Sequence, residues 1–264
     1  MPFTISHAAA VLPLKKTRLP LAALMIGSMS PDFAYFLPVG LARGSTHNLT
    51  GIVSFCLPAG LALWLLFVRV LERPTIELLP SPWRERVPRS DPLSWRGLGL
   101  AGIAVILGAI THVIWDAFTH AHTFITDAFP AMRAEVFRIY GSRVRVYFIL
   151  QVLSSVFGLL ALAAWARNLR HRAPRATPAS EPRSSLTDRA RAIAAGAIVA
   201  TSVVTALACY AAFASFPIES RFFEMLIGGM TGWLLGWCAV AVVINRSLRP
   251  TRPSASNYWS ARKS

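Results

Sequence analysis

Five uninterrupted apolar runs, each long enough to cross a bilayer, restrict this chain more than any other feature. They cover residues 50–71, 97–118, 144–166, 191–213 and 222–244, and none carries more than a stray charge away from its ends. Crossing the hydrocarbon core takes roughly 20 consecutive apolar residues. The chain is 54% hydrophobic and 15% charged, with mean hydropathy +0.49, too apolar for a soluble domain of this length. The runs lack the strict two-residue alternation of a closed barrel. The expected fold is therefore all-α, a polytopic helical membrane protein with five transmembrane helices in a single membrane domain over 1–264.

A sixth hydrophobic region covers residues 8–42 and reads in two ways, as a spanning helix over 19–41 or as a hairpin of two short helices. Lys15, Lys16 and Arg18 interrupt it, and no basic segment precedes it, so it lacks the layout of a cleavable signal peptide. A helix from His7 to about Lys16 and a return from Pro20 to Ser30 would each run roughly 15 Å at 1.5 Å per residue. Asp32 then returns to the level of His7. If 19–41 spans instead, His7 is stranded on the opposite side. We favour the hairpin.

The domain divides into an N-terminal hydrophobic region with His/Asp motifs (1–49), three spans (50–166), a linker (167–191), two spans (192–246) and a basic tail (247–264). The linker is rich in Pro, Ser, Ala and Arg and reads as a flexible loop; His171 within it reads as solvated. The net charge of +15 invites a nucleic-acid reading, but the cations sit in loops and tails without a basic helix or an aromatic platform. They serve orientation better. Eighteen of the 27 Lys and Arg fall in 69–96, 167–191 and 246–263, on one side of a five-span bundle, leaving nine on the other. Basic loops stay in the cytoplasm, which puts the linker and the C-terminus inside. Cys56, Cys209 and Cys238 lie within apolar runs without CxxC spacing and read as small hydrophobes.

The second run ends in HVIWDAFTHAH, residues 112–122, where three of the six histidines crowd around Asp116. On a helix, residues four apart are neighbours, so His112, Asp116 and His120 form one stripe. His122 points elsewhere if the helix continues. Two more polar islands, FTISH at 3–7 with SPDF at 30–33 and STHN at 45–48, contribute His7, Asp32 and His47. All converge on one membrane face, the outer one by the charge count. Imidazoles and carboxylates grouped in this way suit a borderline divalent cation, zinc foremost. Ionisable groups at membrane depth are expensive and mark function. The competing reading is a set of helix-end polar groups at the headgroup level. His7, Asp32, His47, His112, Asp116 and His120 are the candidate metal ligands.

MPFTISHAAAVLPL, LAALMIGSMSPDFAYFL, STHNLTG and THVIWDAFTHAH together resemble the bacterial integral membrane proteins of the domain-of-unknown-function 4184 family, in order and spacing over residues 1–122. The resemblance implies an integral membrane protein, in a bacterial inner membrane, and brings no activity with it. A more distant similarity is to the membrane-bound metal-dependent hydrolases, whose pattern of His, Pro-Asp, Thr-His-Ser and H-x3-D-x2-T implies roles for His7, Asp32, His47, His112 and Asp116. The sequence departs from it at Asn48, where that pattern has Ser, and carries His120 and His122 in place of a Gly after the last Thr.

The leading expectation is an inner-membrane protein with a His/Asp divalent-metal site at the outer face that hydrolyses an ester or phosphoester, with lipid bilayer and a lipid or phosphoester substrate as partners and no nucleic acid. The alternative is a non-catalytic structural or interaction protein whose polar islands brace helix ends. G-x-S-x-G, a P-loop and G-x-G-x-x-G are absent from the sequence. A transporter is less well supported: GGMTGWLLG at 228–236 has the small-x3-small spacing of helix packing. Arg133, Arg138, Arg143 and Arg145 form a basic loop on the side of the histidines that could hold a phosphate or lipid headgroup, although arginines beside a membrane usually just meet anionic lipid. Glu219 and Glu224 could reach the site, although Arg221 between them suggests a local ion pair.

Overall fold

A computed structural model describes residues 4–36, 43–91, 93–139, 142–171 and 186–247. Five long helices dominate it: Leu49–Leu78, Trp95–Thr119, Val146–Leu169, Asp188–Ala212 and Ile218–Ser247. Each is long and apolar enough to cross a membrane, and they correspond in order to the five apolar runs. Their outward faces carry exposed Phe157, Leu160, Val204 and Leu207, which would be costly in water and are at home against lipid.

Several spans begin where a side chain satisfies the free backbone donors of a helix N-terminus. Asn48 accepts from the Gly51 amide at 2.8 Å, Ser94 from Gly97 at 3.0 Å and Thr187 from Ala190 at 3.2 Å. The capping role of position 48 gives its Asn a physical reason, since Asn and Ser are comparably good caps.

The N-terminal region forms a hairpin. Thr4–Lys16 coils as a tight helix of three residues per turn, the chain reverses at 17–20, and Leu21–Gly27 returns packed against it, followed by a turn over Ser30–Tyr35. The reversal falls at the cationic residues that break the apolar run. The returning helix lies on the second span through two glycines. A Cβ on Gly108 would sit 2.5 Å from the Ser28 amide nitrogen and 2.8 Å from the Gly27 carbonyl carbon. Only hydrogen fits there. Leu24, Trp64, Ala101, Ala104 and Val105 fill the core around this contact. Gly158 of the third span makes a similar approach to Ser6, where a Cβ would fall 2.7 Å from its carbonyl oxygen.

One span boundary needs correction. The third span starts at Val146, not at 144, because Glu135–Ile139 (β1) and Ser142–Arg145 (β2) form a short antiparallel hairpin in the connection before it; the fold remains all-α and polytopic. Within this connection Arg138 pairs with Glu135 at 2.6 Å, Arg143 with Glu135 at 3.4 Å and Arg133 with Asp127 at 3.1 Å. Arg221 lies over the Tyr210 ring, 4.0 Å from its centroid, and donates to the Tyr210 carbonyl. The Glu219 side chain, the other half of the expected ion pair, lies outside the described residues.

The small residues at 228–236 pack as their spacing implied. Gly228 and Gly232 abut Thr205, Gly232 and Gly236 abut Thr201, and Ser202 donates to the Gly229 carbonyl at 2.7 Å. This couples the fourth and fifth spans. The thiols of Cys56, Cys209 and Cys238 are free, Cys56 fully buried and the others partly so. Most of the linker, residues 172–185, and the tail from 248 lie outside the described residues; the linker's ends, 167–169 and 188–191, are helical.

Candidate metal centre

The polar residues buried in this protein are not scattered. Among the described residues, apart from Glu77, they come from positions 4–7, 28–32, 46, 112–126 and 151. The first span begins, the second ends and the third begins at this end of the bundle, and the N-terminal hairpin closes over it. In a helix of three residues per turn, positions i and i+3 are eclipsed, so Thr4 and His7 share one face. Thr4 donates to Asp32 Oδ2 at 2.7 Å, and His7 Nε2 lies 3.4 Å from Asp116 Oδ1.

Two histidines are oriented by their Nδ1 atoms. His112 Nδ1 lies 2.8 Å from the Ser28 carbonyl oxygen, which can only accept, so Nδ1 carries the proton and Nε2 keeps a lone pair. His47 Nδ1 lies 2.9 Å from the Thr46 hydroxyl. Their Nε2 atoms face two carboxylates. His47 Nε2 is 3.5 Å from Asp32 Oδ1 and 3.4 Å from Asp116 Oδ2; His112 Nε2 is 3.6 Å and 3.4 Å from the same two oxygens. The ring of His7 stacks on that of His112 with centroids 3.8 Å apart.

These separations are informative. Two donor atoms each about 2.1 Å from one cation and subtending a tetrahedral angle lie about 3.4 Å apart. Hydrogen-bonded N–H···O pairs prefer roughly 2.9 Å. Among the described residues, His112 Nε2 and both ring nitrogens of His7 are buried without a hydrogen bond. Buried polar atoms in that condition need a reason.

Charge completes the description. Burial pushes the His7 imidazole down to about 3, with His112 beside it acting in the same direction, so His7 is neutral near pH 7 and offers a lone pair. For Asp32, burial favours the protonated form, but its contacts with His47 and His112 outweigh this and hold it below the usual carboxylate range. Neutral imidazoles and ionised carboxylates are the forms that bind metals.

The helix of the second span stops at Thr119. His120 caps it with extended backbone, φ −129° and ψ 152°, yet its Nδ1 remains 3.5 Å from Asp116 Oδ1. His122 is exposed in the left-handed region, φ 57°, and His171 is exposed as well. His7, Asp32, His47, His112, Asp116 and His120 thus gather in one place. Two subsets, His7–Asp32–His112 and His47–His112–Asp116, have donor atoms all within 4.8 Å of one another.

The sequence reading missed the supporting residues. Gln151, the only glutamine in the chain, places its amide nitrogen 3.2 Å from His120 Nε2. A lone amide six residues into an apolar span was a signal. Thr4 was visible inside the first motif. Ser28 acts through its backbone, where side-chain identity carries no signal.

The profile of a family described as Domain of unknown function (DUF4184) matches residues 1–245. The chain belongs to this family. No curated protein and no solved structure matches it. The match spans every motif of the cluster, the first four long helices and all but the last two residues of the fifth.

Proposed function

We propose that this chain is a membrane-embedded hydrolase that holds a divalent cation, zinc by preference, between His47, His112, Asp32 and Asp116, and cleaves an ester or phosphoester at the membrane surface. The observation that carries this reading is the pair of imidazoles whose Nε2 atoms lie 3.4–3.6 Å from the Asp32 Oδ1 and Asp116 Oδ2 oxygens. Four of the six edges of a tetrahedral ligand set are present at the length zinc requires. The Nδ1 contacts to Ser28 and Thr46 are the outer-shell partners by which proteins orient ligating histidines.

A bound divalent ion would supply Lewis acidity and bring the pKa of water toward 7. The chain's own residues set the environment. The hairpin over Thr4–Lys16 shields the buried face, and Thr4 anchors Asp32 through its other oxygen. His120 lies on the more accessible side, where proton transfer to a leaving group would take place.

The competing class is a non-catalytic protein in which these groups brace helix ends. Bracing calls for direct hydrogen bonds between the polar groups, whereas the His112 and His7 nitrogens face the carboxylates at cation-sharing distances. We place the site at the outer face of a bacterial inner membrane, with the C-terminus cytoplasmic, on the distribution of Lys and Arg.

Metal analysis of the purified full-length protein tests the reading. Near-stoichiometric zinc, lost in His112→Ala and in Asp116→Ala, supports it. Metal-free wild-type protein of undiminished thermal stability, after growth with added zinc, would leave the bracing role in its place.

A further inference from the structure

We propose that the cluster is built for two cations bridged by Asp116, and that the second position is held by His7 and His120. The inference rests on the reading that the cluster binds a divalent metal, and it adds the number of ions and the substrate charge that number implies.

The carboxylate of Asp116 divides its surroundings cleanly. Its Oδ2 faces His47 Nε2 and His112 Nε2, each at 3.4 Å. Its Oδ1 faces His7 Nε2 at 3.4 Å and His120 Nδ1 at 3.5 Å. One ion on the Oδ2 side already has four donors, counting Asp32 Oδ1, and four is a complete tetrahedral shell. That shell leaves His7 and His120 over, both on the opposite oxygen. They form a second donor set of the same spacing, and a carboxylate that presents one oxygen to each set is the usual bridge of a two-metal centre, whose ions sit about 3.5–4 Å apart.

His7 strengthens the case. Its side chain is completely buried, and among the described residues neither ring nitrogen makes a hydrogen bond. A surplus imidazole in that setting would be replaced by an apolar side chain at no loss, whereas as a ligand it has a function. One of its ring nitrogens also lies within 4.8 Å of donor atoms on Asp32 and His112, near enough for a neighbouring ion. His120 has the required support too. Gln151 sits 3.2 Å from His120 Nε2, and the oxygen and nitrogen of an amide exchange places by a simple flip. With its oxygen toward the ring, Gln151 accepts the Nε2 proton and directs the Nδ1 lone pair to the Asp116 side. The stripe His112–Asp116–His120 then supplies both positions from one helix end, and the hairpin and the first span complete one each.

Charge points to the substrate class. Two carboxylates neutralise one divalent ion, so a second ion leaves the centre about +2. An anionic phosphoester and a hydroxide offset this, and a neutral carboxylic ester does not. In hydrolysis of a phosphodiester, a water oxygen forms the new P–O bond while the P–O bond to the leaving alcohol breaks with its electron pair. The water's proton ends on that alcohol. Paired ions suit this displacement because they stabilise the attacking and the leaving oxygen together.

The test is metal stoichiometry on full-length protein in detergent, stripped with chelator, reloaded with zinc and counted by mass spectrometry. Two zinc ions per chain in the wild type, falling to one in His7→Gln and in His120→Ala, is the expected result. One ion in the wild type, lost in His112→Ala, overturns the two-ion proposal and leaves the single-metal reading standing. No retained ion overturns both. Two ions that persist in both variants overturn the assignment to His7 and His120. Loading with manganese(II) gives an independent readout that needs no variant to fold: an exchange-coupled electron paramagnetic resonance signal is expected, and an isolated six-line spectrum at full loading would contradict the bridge.

Discussion

Gly108→Ala tests whether the packing of the N-terminal hairpin sets the geometry of the metal centre. The added methyl would lie 2.5 Å from the Ser28 amide nitrogen and 2.8 Å from the Gly27 carbonyl carbon, both backbone atoms that no rotamer change can move aside. Non-bonded heavy atoms sit about 3.5–4.0 Å apart at best contact, so the returning helix must withdraw from the second span by about 1 Å. Overpacking of this kind costs about 1–3 kcal/mol. The same displacement moves the Ser28 carbonyl, which lies 2.8 Å from His112 Nδ1, out to a separation at which the bond is lost. Outer-shell partners of metal ligands are worth about 10–100-fold in affinity or activity. We expect Gly108→Ala to lower the thermal midpoint in detergent and to weaken zinc binding by about that factor, read by competition against a chromogenic chelator, with helical content unchanged. Wild-type zinc affinity in a clearly destabilised Gly108→Ala would refute the link from the glycine contact to the metal ligand. Wild-type stability would refute the packing argument itself.

Other expectations follow from separate contacts. Gly232→Val would press on the Thr201 carbonyl, 2.7 Å from its Cβ, and should lower the melting temperature while leaving zinc binding intact, since none of the candidate ligands lies on the fourth or fifth span. Thr4→Val removes the 2.7 Å bond to Asp32; hydrogen bonds to charged groups contribute about 1.5–3 kcal/mol, and the change should appear as weaker zinc binding in the same competition assay. Asn48→Ala removes the cap of the first span at a cost of about 1 kcal/mol, whereas Asn48→Ser should fall within a few tenths of the wild type by thermal melting. A reporter active only when exported, fused after Ser264, should be silent; activity would reverse the orientation.

Much of this architecture could be read from the residues because the bilayer imposes a length and a polarity at once. A run such as 97–118 has few alternatives, and the i, i+4 relation of His112, Asp116 and His120 follows from helix geometry. Other features depended on competition between similar energies. Residues 8–42 are apolar enough for either a span or a hairpin, and the reversal at 17–20, just after Lys15 and Lys16, is fixed by packing on Gly108 and Gly158. The β-hairpin left little trace in the sequence, because EVFRI sets two apolar residues side by side and SRVR opens with two polar ones, so neither shows a clean two-residue period. Gln151 lies far from the motifs in sequence and meets His120 only through the packing of the third span on the second.

The central claim is that the His/Asp cluster is a cation site of nitrogen and oxygen donors. X-ray absorption at the zinc edge, on dialysed protein loaded with zinc, reads that shell directly. The account predicts zinc that survives dialysis, a first shell of nitrogen and oxygen at about 2.0–2.1 Å and the outer scattering of at least two imidazoles. Zinc lost on dialysis, or a sulfur shell at about 2.3 Å from one of the cysteines, would contradict it.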